Sequence, residues 1–220
     1  MQSKNSVKWK VGIIGAGHWG PNLIRNFDQN NKCQVVAICD QAADRLNLIA
    51  QKYENVKTTK VADDILNDPT INVVVIATPT KTHYELTKKA LLQNKHVFVE
   101  KPLATTTEEC KELTALADKQ KLQLFVGHIF LYNAGVRAVK KIIDSGDLGK
   151  IYYLHVTRTN LGPIRTDVSS LWDLAPHDLS IFKYWFNEMP NKVSAKGGCF
   201  LNNSNSLYDA VFATYSFQAI

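Results

Sequence analysis

Val11-Gly-Ile-Ile-Gly-Ala-Gly-His-Trp-Gly20 is a short apolar run that breaks into Gly15-x-Gly17-x-x-Gly20. It reads as a strand, a glycine turn and a helix start. Val11, Ile13 and Ile14 suit a buried strand of a parallel sheet, and Pro21 sets φ for the first helical turn. Leu23, Ile24 and Phe27 then recur at helical spacing. In such a turn Gly15 permits the bend, Gly17 lets a pyrophosphate approach the backbone, and Gly20 lets the helix pack close to the strand. The helix N-terminus supplies free N–H groups and a positive dipole end for the phosphates. Glycine clusters are common in ordinary turns, so the flanking strand and helix carry the weight of the reading.

The next apolar run, Gln34 to Asp40, closes on a carboxylate twenty residues after Gly20. A dinucleotide-binding unit places there the acid that hydrogen-bonds the adenine ribose, so Asp40 favours NAD and repels a 2′-phosphate. The competing role for Asp40 is a helix N-cap, because a helix is expected from Ala42. Arg45 and nearby lysines leave NADP possible. Further strands are expected at 56–61, 73–77, 96–100 and 122–127, and helices at 42–53, 63–66, 83–93 and 105–120. The Thr105-Thr-Thr-Glu-Glu stretch announces the last of these helices. Regular alternation predicts an α/β fold, a doubly wound parallel sheet with ligands at the strand carboxyl ends. Asp40, Thr78, Glu100 and Lys101 occupy such ends.

Past Gly127 the rhythm changes, and a second domain is expected over 128–220 after a cofactor domain over 1–127. A helix at 133–145 precedes an alternating stretch, Ile151 to Thr159, that reads as a strand of a one-sided sheet. Leu171 to Trp185 reads as a helix, and 192–200 and 207–217 as strands of an open antiparallel sheet. The chain stops inside the last of these, so the expectation is a truncated product or a sheet completed by another chain.

Composition sets the outer limits. The 220 residues are 45% hydrophobic and 21% charged, an ordinary globular balance able to bury a core. Cys33, Cys39, Cys110 and Cys199 are scattered without metal-ligand or disulfide-framework spacing, so no metal is expected and a reducing cytoplasm fits. No apolar run suggests a signal peptide or a membrane span. The net charge of +6 is spread along the chain, and no motif points to nucleic acid.

Two stretches carry chemistry once a dinucleotide is assumed. Glu100-Lys101-Pro102 puts an ammonium beside the expected nicotinamide, and Asp173-x-x-x-His177 sets two titratable groups one helical turn apart on one face. Oxidising a secondary alcohol by hydride transfer needs a group that takes the hydroxyl proton, and histidine can do so near neutral pH. Asp173 could orient the imidazole, and Lys101 could stabilise alkoxide charge. Structural roles compete: Asp173 as an N-cap with Pro176 in the first turn, His177 as a satisfied interdomain histidine, Lys101 as a surface lysine. Arg158 and Asn160 could meet substrate hydroxyls or a diphosphate, or face water.

Gly12-Ile-Ile-Gly-Ala-Gly-His-Trp-Gly20, Ala77-Thr-Pro-Thr-x-x-His83, Glu100-Lys-Pro102 and Asp173-x-x-x-His177-Asp together resemble the Gfo/Idh/MocA oxidoreductases. The resemblance implies a Rossmann domain followed by an α/β domain whose open sheet builds homo-oligomer contacts. It implies an NAD(P) site at Gly15, Gly17, His18, Trp19, Gly20, Asp40, Thr78, Pro79, His83, Glu100 and Lys101. It also implies catalysis by Lys101, Asp173 and His177 on sugars, cyclitols or nucleotide-linked sugars, with Arg158 and Asn160 beside the substrate. Trp172 to Asp178 is similar to the nucleotide-sugar subgroup. A non-catalytic NAD or sugar sensor and an NAD-dependent glycoside hydrolase are the alternatives. Members of this family run well beyond three hundred residues, so a gene product ending at Ile220 is expected to bind NAD with weak or absent turnover.

Overall fold

The computed structural model describes residues 8–159, 168–201 and 207–218. The chain divides into two compact units, Met1–Gly127 and His128–Ile220. None of the described helices is long and apolar enough to cross a membrane.

The first unit alternates strands and helices: β1 (Trp9–Ile14), α1 (Gly20–Gln29), β2 (Cys33–Cys39), α2 (Ala43–Lys52), β3 (Lys57–Thr59), α3 (Asp63–Leu66), β4 (Val73–Ile76), α4 (His83–Leu92), β5 (His96–Val99), α5 (Thr107–Gln120) and β6 (Leu124–Val126). The six strands form one sheet in the order β3-β2-β1-β4-β5-β6, every pair parallel. This is the doubly wound arrangement expected of uninterrupted β-branched runs, which need cover on both faces. Alternation along each strand divides the cover. Val11, Ile13, Val35, Ile38 and Val75 pack under Leu23, Ile24 and Ile49 of α1 and α2. Ile14, Val74, Ile76, Val97 and Val99 pack under Ile65, Leu66, Ala90, Leu91 and Leu113 of α3, α4 and α5. A capping box starts α5, the Thr106 hydroxyl accepting from the Glu109 N–H while Glu109 reaches back to the cap.

Register brings the strand ends into a row. Ile14 pairs with Cys39 and Ile76, Ile76 with Val99, and Val99 with Val126. The residues that follow, Gly15, Asp40, Ala77, Glu100 and Gly127, therefore line one carboxyl edge. Backbone bonds carry the ladder one step past the strands, as in Gly15 N–H to the Cys39 carbonyl (2.8 Å) and Glu100 N–H to the Ile76 carbonyl (2.9 Å).

The second unit holds α6 (Ala134–Ser145), α7 (Ser170–Phe186), β7 (Lys192–Gly198) and β8 (Ala210–Ser216). Asn133 caps α6 through its side-chain oxygen, and Gly146 ends that helix at φ 78°. β7 and β8 pair antiparallel, with Lys192 opposite Ser216 and Gly198 opposite Ala210. Tyr215 and Phe217 meet Phe182 of α7 at ring-centroid distances of 6.3 and 6.1 Å.

Two expectations change here. Ile151 to Thr159 forms no strand: it has no ladder partner among the described residues, and alternation alone cannot supply one. The helix expected at 171–185 begins at Ser170, with the Ser169 hydroxyl accepting from the Trp172 N–H at 3.3 Å. Asp173 is thus not the cap, and Pro176 lies inside the helix, where it deprives the Trp172 carbonyl of its i+4 donor.

Candidate functional site

The glycine turn shows which of its residues the protein itself requires. Gly15 has φ 101°, and a Cβ there would stand 2.6 Å from the Ala77 carbonyl. A Cβ on Gly20 would collide with the Gly15 carbonyl oxygen. Gly17 differs, since a Cβ there would meet only the Arg45 guanidinium at 3.6 Å. Protein packing therefore explains two of the three glycines, and the open backbone at Gly17 fits close approach by a phosphate. Among the described residues no side chain caps α1, and its first turn carries no acid, which suits its N-terminus to an anion.

Asp40 is 9% exposed. Its Oδ2 accepts from the Ala16 N–H at 2.7 Å and its Oδ1 from the Ala42 N–H at 2.8 Å. Arg45 stands 3.4 Å away with more than half its side chain exposed. Asp40 thus ties the glycine turn to the end of β2, and it is not a helix cap, because α2 starts at Ala43 without a side-chain cap bond. A carboxylate offers about four lone-pair sites, and the two that Arg45 reaches, at 3.5 and 3.4 Å from an exposed side chain, are the weakly held ones that a ribose hydroxyl would take over.

At the end of β4, the Thr78 and Thr82 hydroxyls are 2.7 Å apart, and Pro79 is exposed. His83 is 1% exposed, its Nδ1 2.7 Å from the Pro102 carbonyl oxygen and its Nε2 2.9 Å from that of Thr78. The ring spans the two loops and leaves neither nitrogen facing outward, so it ties Thr78 to the Lys101-Pro102 turn. The Lys101–Pro102 peptide is cis.

Glu100 is packed where a Cβ on Gly127 would come within 3.0 Å of its Oε1. Burial pushes its carboxyl above the usual range, against the opposing pull of the Lys101 amide and ammonium and of the Trp19 indole. Its Oε1 is buried and makes no hydrogen bond among the described residues. Trp19 and His18 are exposed on the glycine turn. Burial, with Asp40 and Asp64 nearby, raises the Cys39 thiol to about 11, so it is no nucleophile.

In the second unit, Asp173 and His177 sit one turn apart on α7, with His177 9% exposed and its ring 4.8 Å, centroid to centroid, from that of Phe130. Arg158 donates from Nε to Asp178 Oδ1 at 2.7 Å. Asn160 lies outside the described residues. Sequence reasoning passed over Asp178 as a partner, although it stands beside His177 in the quoted motif, and no sequence signal marks Phe130. A cleft of about 620 Å³ opens between residues 151–156 and β8, and neither Asp173 nor His177 lines it. It is the gap beside an unpaired extended segment, floored by Phe182 and Phe186. The strand-end row belongs to the first unit and the Asp173–His177 pair to the second.

Comparison with known proteins gives two family-model matches. Residues 9–128 match the model described as "Oxidoreductase family, NAD-binding Rossmann fold", and residues 136–219 match the "GFO/IDH/MocA C-terminal domain". Inositol 2-dehydrogenase of Salmonella typhimurium is 30% identical over 184 residues, which cover 81% of this chain and 55% of that protein. A 2,7-anhydro-N-acetylneuraminate hydratase of Mediterraneibacter gnavus is 26% identical over 84% of this chain and 51% of its own length. Among solved structures, yvaA of Bacillus subtilis superposes with a TM-score of 0.86 at 27% identity, covering 99% of this chain and 63% of that one. The chain thus spans just over half the length of these curated relatives.

Proposed function

Because the chain belongs to the GFO/IDH/MocA oxidoreductase family and its first unit is an NAD-binding Rossmann domain, we propose that it serves hydride transfer between NAD and a carbinol carbon of a cyclitol, a sugar or a nucleotide-linked sugar. The observation that carries this reading is the row of strand ends, Gly15, Asp40, Ala77 and Glu100, closed by a glycine turn whose Gly17 backbone is open. Gly15, Gly17, Gly20 and the α1 N-terminus hold the pyrophosphate, Asp40 the adenine ribose, and Thr78, Glu100 and Lys101 the nicotinamide end. Bound NAD supplies the hydride acceptor. His177 takes the carbinol hydroxyl proton on a ring nitrogen, Asp173 orients that imidazole, and the Lys101 ammonium stabilises the alkoxide oxygen. The same groups serve carbonyl reduction in the reverse direction. The two-stranded sheet, which presents Val193 and Phe212 to solvent, is the surface through which copies associate in this reading.

The test is an NAD titration followed by incubation with cyclitols, free sugars and UDP-, GDP- and TDP-sugars while NADH is monitored. NADH appearance with a polyol supports the reading. Turnover without net NADH transfers the assignment to transient redox chemistry at the same cofactor. NAD binding with no chemistry on any compound favours a sensor.

A further inference from the structure

Between residues 152 and 159 every side chain is exposed except that of Arg158. Its Nε donates to Asp178 at 2.7 Å, the two side chains being 24% and 17% exposed. Its guanidinium carbon stands 4.7 Å from the centroid of the Phe130 ring. That ring meets the His177 imidazole edge-on, centroids 4.8 Å apart and planes at 72°. Cation, benzene ring and imidazole thus follow in a row, and Asp178, the residue after His177, closes the row back onto α7. Arginine alone suits this place, because its flat guanidinium can cover a ring face while donating at its edge.

We propose that Arg158 is a positioning residue for His177, pinning Phe130 against the imidazole and neutralising Asp178, rather than a ligand for substrate hydroxyls. Among the described residues, the charged and titratable groups that this row brings together are Asp173 and Asp178 on the helix that carries His177 and Arg158 from the extended stretch, with Tyr215 on β8 facing Asp178. Asp178 lines the same cleft as Tyr215, and burial together with the Asp178 carboxylate pushes the Tyr215 hydroxyl up. With Arg158 in place Asp178 is balanced. Without it, a bare carboxylate favours the imidazolium, and Phe130 loses its second contact.

The proposal rests on His177 as the acid/base group, but its test reads the imidazole without turnover, so loss of the enzyme reading and loss of this one are told apart. The probe is the Cε1 proton of His177 in the 220-residue chain, assigned with H177N and followed through a pH titration by NMR. R158Q is expected to raise the His177 midpoint by about half a pH unit, the size of one partly screened charge, while the first-unit histidines, His18, His83 and His96, stay where they are. D178N is expected to lower the midpoint, and R158Q/D178N to return it towards the wild-type value. R158K keeps the charge but not the flat contact, so it leaves the midpoint near wild type and reduces the ring-current displacement from Phe130. A His177 midpoint in folded R158Q that coincides with wild type overturns the proposal, as does a uniform shift of all the histidines. Should R158Q not fold, D178N and R158K decide, and an unmoved midpoint in the first with an unmoved ring-current displacement in the second overturns it as well.

Discussion

The two units spend their apolar residues differently. In the first, the sheet is six strands wide and covered on both faces, and Ile13, Ile65, Leu66, Val74 and Leu113 have no exposed surface. In the second, the buried apolar side chains among the described residues are Val168, Ile181 and Phe182, while Tyr152, Tyr153 and Phe212 are each more than three-quarters exposed. Helices cover both faces of the parallel sheet, whereas the two-stranded antiparallel sheet leaves exposed apolar side chains such as Val193 and Phe212. The first unit is therefore a covered scaffold whose strand ends line one edge. In the proposed reading the second carries its chemistry on one helix and offers its exposed apolar residues to another copy.

The largest expected effects cross this divide. Lys101→Ala in the first unit and His177→Ala in the second should each lose ~10²–10⁴ in rate, as expected for one group acting on a reacting proton or alkoxide, with NAD affinity largely kept. Steady-state kinetics alongside NAD titration checks both, and an unchanged rate in either variant removes that unit from the chemistry.

Next comes packing. Leu113→Ala should cost about 2–5 kcal/mol in urea unfolding, the usual penalty for a cavity in a closed core. Phe212→Ser should stay within about 0.5 kcal/mol, since its side chain is already in water, and should reduce self-association in sedimentation velocity. Equal costs at the two positions would erase the contrast.

A smaller effect separates the glycines. Gly15→Ala faces both a positive φ and the Ala77 carbonyl, so it should destabilise the fold. Gly17→Ala should leave the melting temperature in place and weaken NAD by about tenfold or more, because only a ligand needs that space. NADH should likewise bind at least about tenfold tighter than NADPH, on account of the Asp40 carboxylate. Calorimetry settles both.

Much of the first unit was legible because its signals are local. Uninterrupted β-branched runs, glycines at fixed offsets and an acid at a strand end each follow from the chemistry of one segment. The strand-end row was legible too, since the carboxyl ends of parallel strands lie side by side. What stayed hidden was set by partners distant in sequence. Nothing in Ile151 to Thr159 tells that its alternation lacks a ladder, nothing local makes Phe130 a neighbour of His177, and the partner of Arg158, Asp178, lies twenty residues away. Asp173 was weighed as a cap because Ser169 was overlooked as an equally good capping residue one turn earlier.

The smallest expected effect lies in pH. Burial holds the folded-state pKa of Glu100 above its unfolded value, so the folded protein prefers the protonated acid. The associated stability is present in full below the unfolded value and is lost as pH rises through the folded one. Glu100→Gln should therefore gain on wild type in melting temperature as pH rises from about 4.5 to 8. A constant difference across that range would mean that the carboxyl is not held by burial.

The most direct test follows the hydrogen itself. A cyclitol or sugar that yields NADH would be supplied with deuterium on its carbinol carbon, and the nicotinamide product examined by mass spectrometry for wild type and His177→Ala. Deuterium accumulating at nicotinamide C4 in the wild type, with the rate reduced at least about a hundredfold in the variant, is the predicted result. Turnover that leaves no deuterium on the nicotinamide, or that proceeds equally without His177, would contradict the account.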